Sequence, residues 1–435
     1  MHKEWEHVVV LGAAGKMGSG IALLLLQEMA SMPGSHLTLL DTNAQGFEAL
    51  KKYLREHMLR YAEKSINRLR LHYEDRDDLI DNGDMIRTFV EDAIDRVRLV
   101  TSIGECHGAS MIFEAILENI DVKAKVFSEI NKIASPEAIY FTNTSSIPIH
   151  ILEKQSQIEG RLVGFHFYNP PAVQKLVEII VPHGLKKGIL EIALKVGKRL
   201  NKTIVFSEDI AGFIGNGHFI REASEACRKV EELSHKMSLT ESICLVNTIT
   251  QDYLVRPMGI FQLIDYVGID VVQNIVKVMG RYLSNQTFNI SLIDEMASAG
   301  VKGGQNGDGT QKDGFFTYIK GQPAQVYDLG KKGYTPYAVS AEVQKMAKGH
   351  ASWKVLSKDG KRSEKLSNYF ETLWGCHSTS AKLAINFLEN SRKIAHGLVS
   401  EGVARSVGDV DTVLQNGFFH LYGVDAPWKE IGGAE

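Results

Sequence analysis

The chain has 435 residues, 44% apolar and 23% charged, with a formal net charge of -3. That length exceeds one ordinary domain, and the near-balanced charge excludes a global field for nucleic acid or acidic lipid. The longest apolar run, residues 21 to 26, is far too short to span a membrane, and the N-terminus is too acidic for a signal peptide. Cys106, Cys227, Cys244 and Cys376 fit no ligand spacing, so reduced thiols, a cytoplasmic location and no metal are expected.

In chain order, residues 1 to about 207 alternate short β-branched runs with helical stretches. Strands are expected at 8–11, 37–40, 97–100, 111–113, 138–141, 161–165, 177–180 and 203–206, and helices at 22–29, 47–69 and 121–133. Such alternation argues for an α/β, Rossmann-like doubly wound sheet, mostly parallel. The charged stretch 47–90 reads as a helical arm projecting from it. After Ser207 the strand signals fade. Residues 210–282 read as helix, broken at Met258-Gly259 and Gly268, and residues 300–314, with six glycines, as polar loop. Beyond Tyr334 the chain is lysine-rich to about Ser367, and helical periodicity returns over 373–403.

A weak repeat runs through this second part. The stretch from Thr250 to Leu263 leads to Gly268-Ile269-Asp270, and Asp409 to Phe419 leads to Gly423-Val424-Asp425. Both place a glycine–aromatic turn before a Gly–hydrophobic–Asp step, which reads as a degenerate second copy of a helical domain. The expected organisation is a nucleotide-binding sheet domain over 1–207, an all-α C-terminal domain over 208–330, and a linker plus partial second helical copy over 331–435.

Five motifs carry chemistry. Gly12-Ala13-Ala14-Gly15-Lys16-Met17-Gly18 lies between a strand and a helix. Its glycines permit a tight turn and close approach of backbone to a pyrophosphate, and the helix start offers N–H groups to that anion. The spacing is G-x-x-G-x-x-G where G-x-G-x-x-G is usual. Asp41 ends the second strand, where a carboxylate binds ribose hydroxyls and repels a 2′-phosphate, favouring NAD over NADP. Glu114-Ala115-Ile116-Leu117-Glu118-Asn119 follows a strand, so its acids sit at the sheet's carboxyl edge, unless they only start a solvated helix. Asn143-Thr144-Ser145-Ser146 can hydrogen-bond a carbonyl without filling a pocket, or simply cap a turn.

Phe165-His166-Phe167-Tyr168-Asn169-Pro170-Pro171, then Lys175-Leu176-Val177-Glu178, form the fourth motif. A histidine among aromatics is usually a satisfied core residue. Here Glu178 lies inside an apolar strand, and a buried carboxylate needs a partner. With Glu178 holding one ring nitrogen, His166 can move a proton on and off a substrate oxygen. The fifth, Asp209-Ile210-Ala211-Gly212-Phe213-Ile214-Gly215-Asn216, starts the helical region.

In this order the five pieces resemble the L-3-hydroxyacyl-CoA dehydrogenase family. Its glycine turn ending in Met-Gly, its E-N-x-x-x-K, N-T-S-S, H-F-x-N-P, K-L-V-E and G-F-x-x-N segments are matched by Met17-Gly18, Glu118-Asn119 with Lys123, Asn143 to Ser146, His166 to Pro170, Lys175 to Glu178 and Gly212 to Asn216. The match covers residues 5 to about 320, and the stretch with Glu401-Gly402 and Asp409-Val410-Asp411 resembles the partial second helical domain of longer members. The resemblance implies NAD-dependent, reversible oxidation of a 3-hydroxyacyl-CoA in fatty-acid β-oxidation or butanoate metabolism. It makes His166 the proton carrier and Glu178 its orienter. It puts Ser145 and Asn216 on the substrate oxygen, Asn169 and Glu118 on the nicotinamide side, and Lys123 and the glycine turn (Gly12, Gly15, Met17, Gly18) on the cofactor. Lys64, in the charged arm, would meet the phosphates of coenzyme A.

Departures are the extra residue in the glycine turn, Gly217-His218 where arginine usually follows the asparagine, and Pro171-Ala172-Val173-Gln174 where a methionine commonly precedes the lysine. A dehydrogenase acting on a small free hydroxy acid or sugar acid is the alternative, and a binding protein without turnover is a third reading. The helical parts imply either a homodimer or a monomer that pairs them internally, with an acyl-CoA substrate and neither nucleic acid nor membrane as partner.

Overall fold

The computed structural model describes residues 3–306, 309–340, 343 and 346–431. Contacts divide the chain into two compact units, residues 1–209 and 210–435.

The first unit is built on eight strands: β1 (His7–Leu11), β2 (His36–Leu40), β3 (Val97–Val100), β4 (Met111–Glu114), β5 (Ile139–Thr142), β6 (Leu162–Phe167), β7 (Leu176–Ile180) and β8 (Thr203–Ser207). They form one sheet in the order β3-β2-β1-β4-β5-β6-β7-β8. Every neighbouring pair is parallel except β6 with β7. Strands β1, β4, β5, β6 and β7 are buried at every residue, as a sheet covered on both faces requires. The order reverses between β1 and β4, so the loops that leave these two strands open the crevice where such sheets bind ligands.

Helices α1 (Lys16–Met29), α2 (Gly46–Lys64), α3 (Ile66–His72), α4 (Asn82–Asp95), α5 (Ile120–Asn131), α6 (Ile149–Ser156) and α7 (Ile189–Arg199) complete this unit. The charged arm is α2 to α4, and it does not project freely. Leu50, Leu54, Met58 and Ala62 recur every fourth residue along α2 and pack, with Phe89, Val90 and Ala93 of α4, into the core of the sheet domain.

The second unit contains α8 (Gly215–Ser234), α9 (Leu239–Thr248), a π-turn at Ile249–Tyr253, α10 (Ile260–Val267), α11 (Ile269–Tyr282), α12 (Ser291–Ser298), α13 (Trp353–Leu356), α14 (Arg362–Trp374), α15 (Thr379–Ser400) and α16 (Val407–Gly417). One core runs through it, from Ala211 and Phe219 to Tyr422 and Trp428. Gly259 and Gly268 stand at the N-termini of α10 and α11, the two breaks expected from sequence. The unit is not all helical. Strands β9 (Phe316–Ile319), β10 (Gln322–Asp328) and β11 (Gly333–Pro336) form an antiparallel sheet, the first two inside the stretch expected to be all-α and the third in the expected linker. They are short, mostly half-exposed and interrupted by Pro323, so no alternation of apolar residues marks them.

No described helix is long and apolar enough to cross a membrane, and no group of three or more potential metal ligands occurs among the described residues. The four cysteines are free.

Candidate active site

The glycine turn leaves β1 at the reversal of strand order. The N–H groups of Gly12 and Ala13 both donate to the carbonyl of Leu40 at the end of β2, at 2.9 and 3.1 Å. Asp41, the next residue, binds the same turn. Its Oδ2 accepts from the Ala14 N–H and its Oδ1 from the Asn43 N–H, both at 2.9 Å. Gly12 has φ +77°, and a Cβ on it would stand 2.7 Å from the carbonyl oxygen of Ala115, after β4. A Cβ on Gly18 would run into the carbonyl of Gly12. Both positions therefore require glycine, one for its backbone and the other for close packing of helix on turn. The N-cap of α1 is Gly15, which has no side chain to cap the helix, and the helix start lies beside the crevice. Met17 is half-buried at the start of that helix.

The second and third motifs form one network. Glu114 ends β4 fully buried, and Lys123 on α5 is 1% exposed. Lys123 Nζ lies 2.6 Å from Glu114 Oε1 and 3.2 Å from Glu118 Oε2. Glu114 Oε2 accepts from the Thr142 hydroxyl at 2.6 Å. Glu118 Oε1 accepts from the Thr144 hydroxyl, the Ser145 N–H and the Ser146 hydroxyl at 2.6, 3.0 and 3.1 Å. Burial alone would raise the Glu118 carboxyl, but Lys123 and then these donors hold it below its ordinary value. Burial likewise opposes the charge on Lys123, and the two carboxylates outweigh it. The ammonium of Lys123 thus lies beneath the crevice, held by acids. The Thr-Ser-Ser run is fixed by Glu118, and Asn119 caps α5 by accepting from the N–H groups of Asp121 and Val122.

The fourth motif spans β6 and β7. Period-two alternation sends Phe165 and Phe167 to one face, where Phe165 meets Phe141 with ring centres 5.2 Å apart, and His166 to the other. His166 stands directly opposite Glu178 in the antiparallel register. His166 Nδ1 is 3.6 Å from Glu178 Oε2, in ion-pair range. Glu178 is wholly buried, His166 nearly so. The Tyr168 hydroxyl donates to Glu178 Oε1 at 2.7 Å, a contact that sequence reading missed. Asn143 Oδ1 accepts from the Phe167 N–H at 2.8 Å, tying the third motif to the end of the histidine strand. Pro171 packs on α1 at Gly20, where a Cβ would be 2.8 Å from its Cδ. Lys202 Nζ donates to the carbonyls of Pro171 and Gln174 at 2.6 and 2.7 Å, and burial lowers its pKa to about 8. Asn169 is half-buried in this loop.

The first unit therefore gathers Gly12, Gly15, Met17, Gly18, Asp41, Glu118, Ser145, His166, Asn169 and Glu178 on or beside the carboxyl ends of its parallel strands. Lys64 is exposed at the last residue of α2. Asn216 belongs to the second unit, half-buried in the first turn of α8. Asp209 accepts from the N–H groups of Ile149 and His150 and so caps α6. The arginine-to-Gly217-His218 departure has a packing reason. A Cβ on Gly217 would stand 3.0 Å from Leu398 of α15, and His218 is buried with its Nε2 3.3 Å from the Ser391 hydroxyl.

Residues 7–210 match the family model "3-hydroxyacyl-CoA dehydrogenase, NAD binding domain", and residues 212–313 match "3-hydroxyacyl-CoA dehydrogenase, C-terminal domain". The mitochondrial hydroxyacyl-coenzyme A dehydrogenase of Sus scrofa is 30% identical over 62% of this chain and 79% of its own. A probable 3-hydroxybutyryl-CoA dehydrogenase of Bacillus subtilis is 28% identical over 70% of this chain and 96% of its own. Among solved structures, 3-hydroxybutyryl-CoA dehydrogenase of Escherichia coli K12 superposes with a TM-score of 0.66 over 98% of this chain and 91% of that one, at 20% identity, which speaks to the fold. FadB2 of M. tuberculosis gives 0.54 at 25% identity over 72% of this chain and 99% of that one.

Proposed function

Since the chain belongs to the 3-hydroxyacyl-CoA dehydrogenase family, and so to the NAD-dependent oxidoreductases, we propose that it interconverts (S)-3-hydroxyacyl-CoA and 3-oxoacyl-CoA through a proton shuttle made of His166 and Glu178. The placement of His166 directly across from a buried Glu178, at the sheet edge that also carries the glycine turn, is the observation that carries this reading. The crevice fits the cofactor. Gly12 and Gly18 leave no room for a side chain, α1 starts after Gly15 at the turn, and Asp41 stands where ribose hydroxyls are read. Bound there, NAD supplies the hydride acceptor.

The chain's own residues do the rest. Nδ1 of His166 faces Glu178, and Nε2, across the ring, is the nitrogen that meets the substrate oxygen. Nε2 takes the hydroxyl proton as the neighbouring carbon loses its hydride, and returns it in the reverse direction. The Glu178 carboxylate stabilises the imidazolium and fixes its orientation. Ser145 holds the substrate oxygen, while Glu118 and Asn169 line the nicotinamide side. The buried pair of Lys123 with Glu114 supports Glu118 from below. Lys64 meets the phosphates of coenzyme A. The pathway served is fatty-acid β-oxidation or butanoate metabolism.

NADH oxidation with acetoacetyl-CoA tests this. His166→Gln or Glu178→Gln should lower kcat by about 10²–10⁴-fold with NADH affinity little changed. Parent-level rates in both variants would end the proposal. Acetoacetate in place of the thioester separates an acyl-CoA enzyme from one acting on free acids, and Lys64→Glu should weaken only the CoA substrate.

A further inference from the structure

Tyr168 lies two residues beyond His166, so the extended chain turns both side chains to the same face. Their ring centres are 4.9 Å apart. Glu178 stands opposite His166 and diagonal to Tyr168, within reach of both. On its other side Glu178 is in register with Val205 of β8, and Val177 and Ile179 flank it along β7, all three buried and apolar. Its two oxygens are divided. Oε1 accepts from the Tyr168 hydroxyl at 2.7 Å, and Oε2 points to His166 Nδ1 at 3.6 Å.

We propose that Tyr168 is a positioning residue for proton transfer: by donating to one oxygen of Glu178 it fixes the carboxylate plane, so that the other oxygen stays on the His166 ring and Nε2 stays on the substrate side. This rests on the dehydrogenase reading above and deepens it. A carboxylate on a two-bond stem can rotate, and rotation would trade the histidine for the tyrosine. A neutral donor locks the plane without cancelling the charge that the imidazolium needs, which a lysine or arginine in the same place would do. Burial, and then the Glu178 charge, push the phenol well above its ordinary range, so it remains a donor at any pH where the protein is assayed.

The test is steady-state NADH oxidation with acetoacetyl-CoA on the full chain. Tyr168→Phe keeps the ring and removes the hydroxyl. It should lower kcat by about 10- to 100-fold, the worth of a hydrogen bond to a charged group, while KM and NADH affinity stay within about twofold. In the Glu178→Gln background, where no carboxylate remains to be steered, the same change should cost less than about threefold. A kcat for Tyr168→Phe within twofold of the parent, or equal losses in both backgrounds, would overturn the inference. As a second probe, 3-fluorotyrosine at position 168 keeps the donor and should recover most of the lost turnover. A loss matching that of Tyr168→Phe would overturn the inference too. A parent that oxidises no NADH would instead sink the dehydrogenase reading, and this inference with it.

Discussion

Arg256 and Glu222 meet as two parallel hydrogen bonds in the core of the second unit: Nη1 to Oε2 and Nη2 to Oε1, each 2.9 Å, with both side chains at most 10% exposed. Arg256 follows the π-turn, Glu222 lies on α8, and Arg256 Nη2 also donates to Ser391 of α15 at 3.2 Å. The pair thus ties the helical domain to the C-terminal stretch. Burial would raise the Glu222 carboxyl, but Arg256 and then His218 hold it down at about 2. Removing one partner leaves the other charge buried without compensation. Glu222→Gln should therefore destabilise the second unit by about 3–5 kcal/mol, read as a fall of its calorimetric transition. Because the folded carboxyl lies below its ordinary 4.5, the stability it adds is present above that value and is lost as pH falls toward 2. A variant as stable as the parent at pH 7 would refute the assignment.

Lys123 supports a second prediction. Its ammonium lies between the Glu114 and Glu118 carboxylates, 2.6 and 3.2 Å from their oxygens. Lys123→Met keeps the length of the stem and removes the charge. Two facing carboxylates would remain, and the first unit should lose about 3–5 kcal/mol. NADH binding should weaken with it, since Glu118 also fixes Ser145 and Ser146. Unchanged thermal stability with weakened NADH binding would mean that Lys123 serves the cofactor alone.

The strands of the first unit are legible chiefly because β1, β4, β5, β6 and β7 are buried throughout and read as largely apolar runs between turn residues, while β3 and β8 at the sheet's edges still carry β-branched residues. The glycine turn, Asp41 and the His166–Glu178 pair are legible for a related reason: glycine and a lone acid inside apolar strand both break the pattern for a physical cause. The joining of Glu118 to the Thr-Ser-Ser run is not visible, because it depends on β4 and β5 being neighbours, which pairs residues 26 to 28 positions apart. Tyr168 hides in the same way, since its ring suits an apolar core and only the register shows its hydroxyl an acceptor. Glu222 and Arg256 are 34 positions apart, and no periodicity marks a pair that only tertiary packing brings together.

The cofactor turn gives a third prediction. Gly18→Ala puts a methyl against the Gly12 carbonyl, a backbone atom that cannot move aside without shifting α1. NADH affinity measured by titration should fall at least tenfold, about 1.4 kcal/mol. Asp41→Ala removes the acceptor for the Ala14 and Asn43 N–H groups and a negative charge that would repel a 2′-phosphate placed beside it. It should weaken NADH binding and narrow the preference for NADH over NADPH. An unchanged preference would show that Asp41 only shapes the turn.

Asp265 carries the last prediction. It is wholly buried on α10, beneath the turn that leads into β9. Oδ1 accepts from the Phe315 N–H at 2.6 Å, and Oδ2 from the Phe316 N–H at 3.0 Å and the Tyr318 hydroxyl at 2.7 Å. Burial raises its pKa from 3.8 to about 7 against the pull of these three donors. An acid whose folded pKa lies above its unfolded value holds its proton more tightly in the folded chain. The stability it contributes is full below about 4, declines as the unfolded chain gives up the proton first, and is gone once pH passes about 7. The second unit should therefore lose a few kcal/mol between pH 4 and pH 7 through this group. Asp265→Asn cannot titrate, and its amide turns an N–H toward one of the three donors. The variant should be less stable at every pH, yet free of this decline. Urea unfolding of parent and variant across that range reads both effects, and parallel pH profiles would show that Asp265 does not change its protonation there.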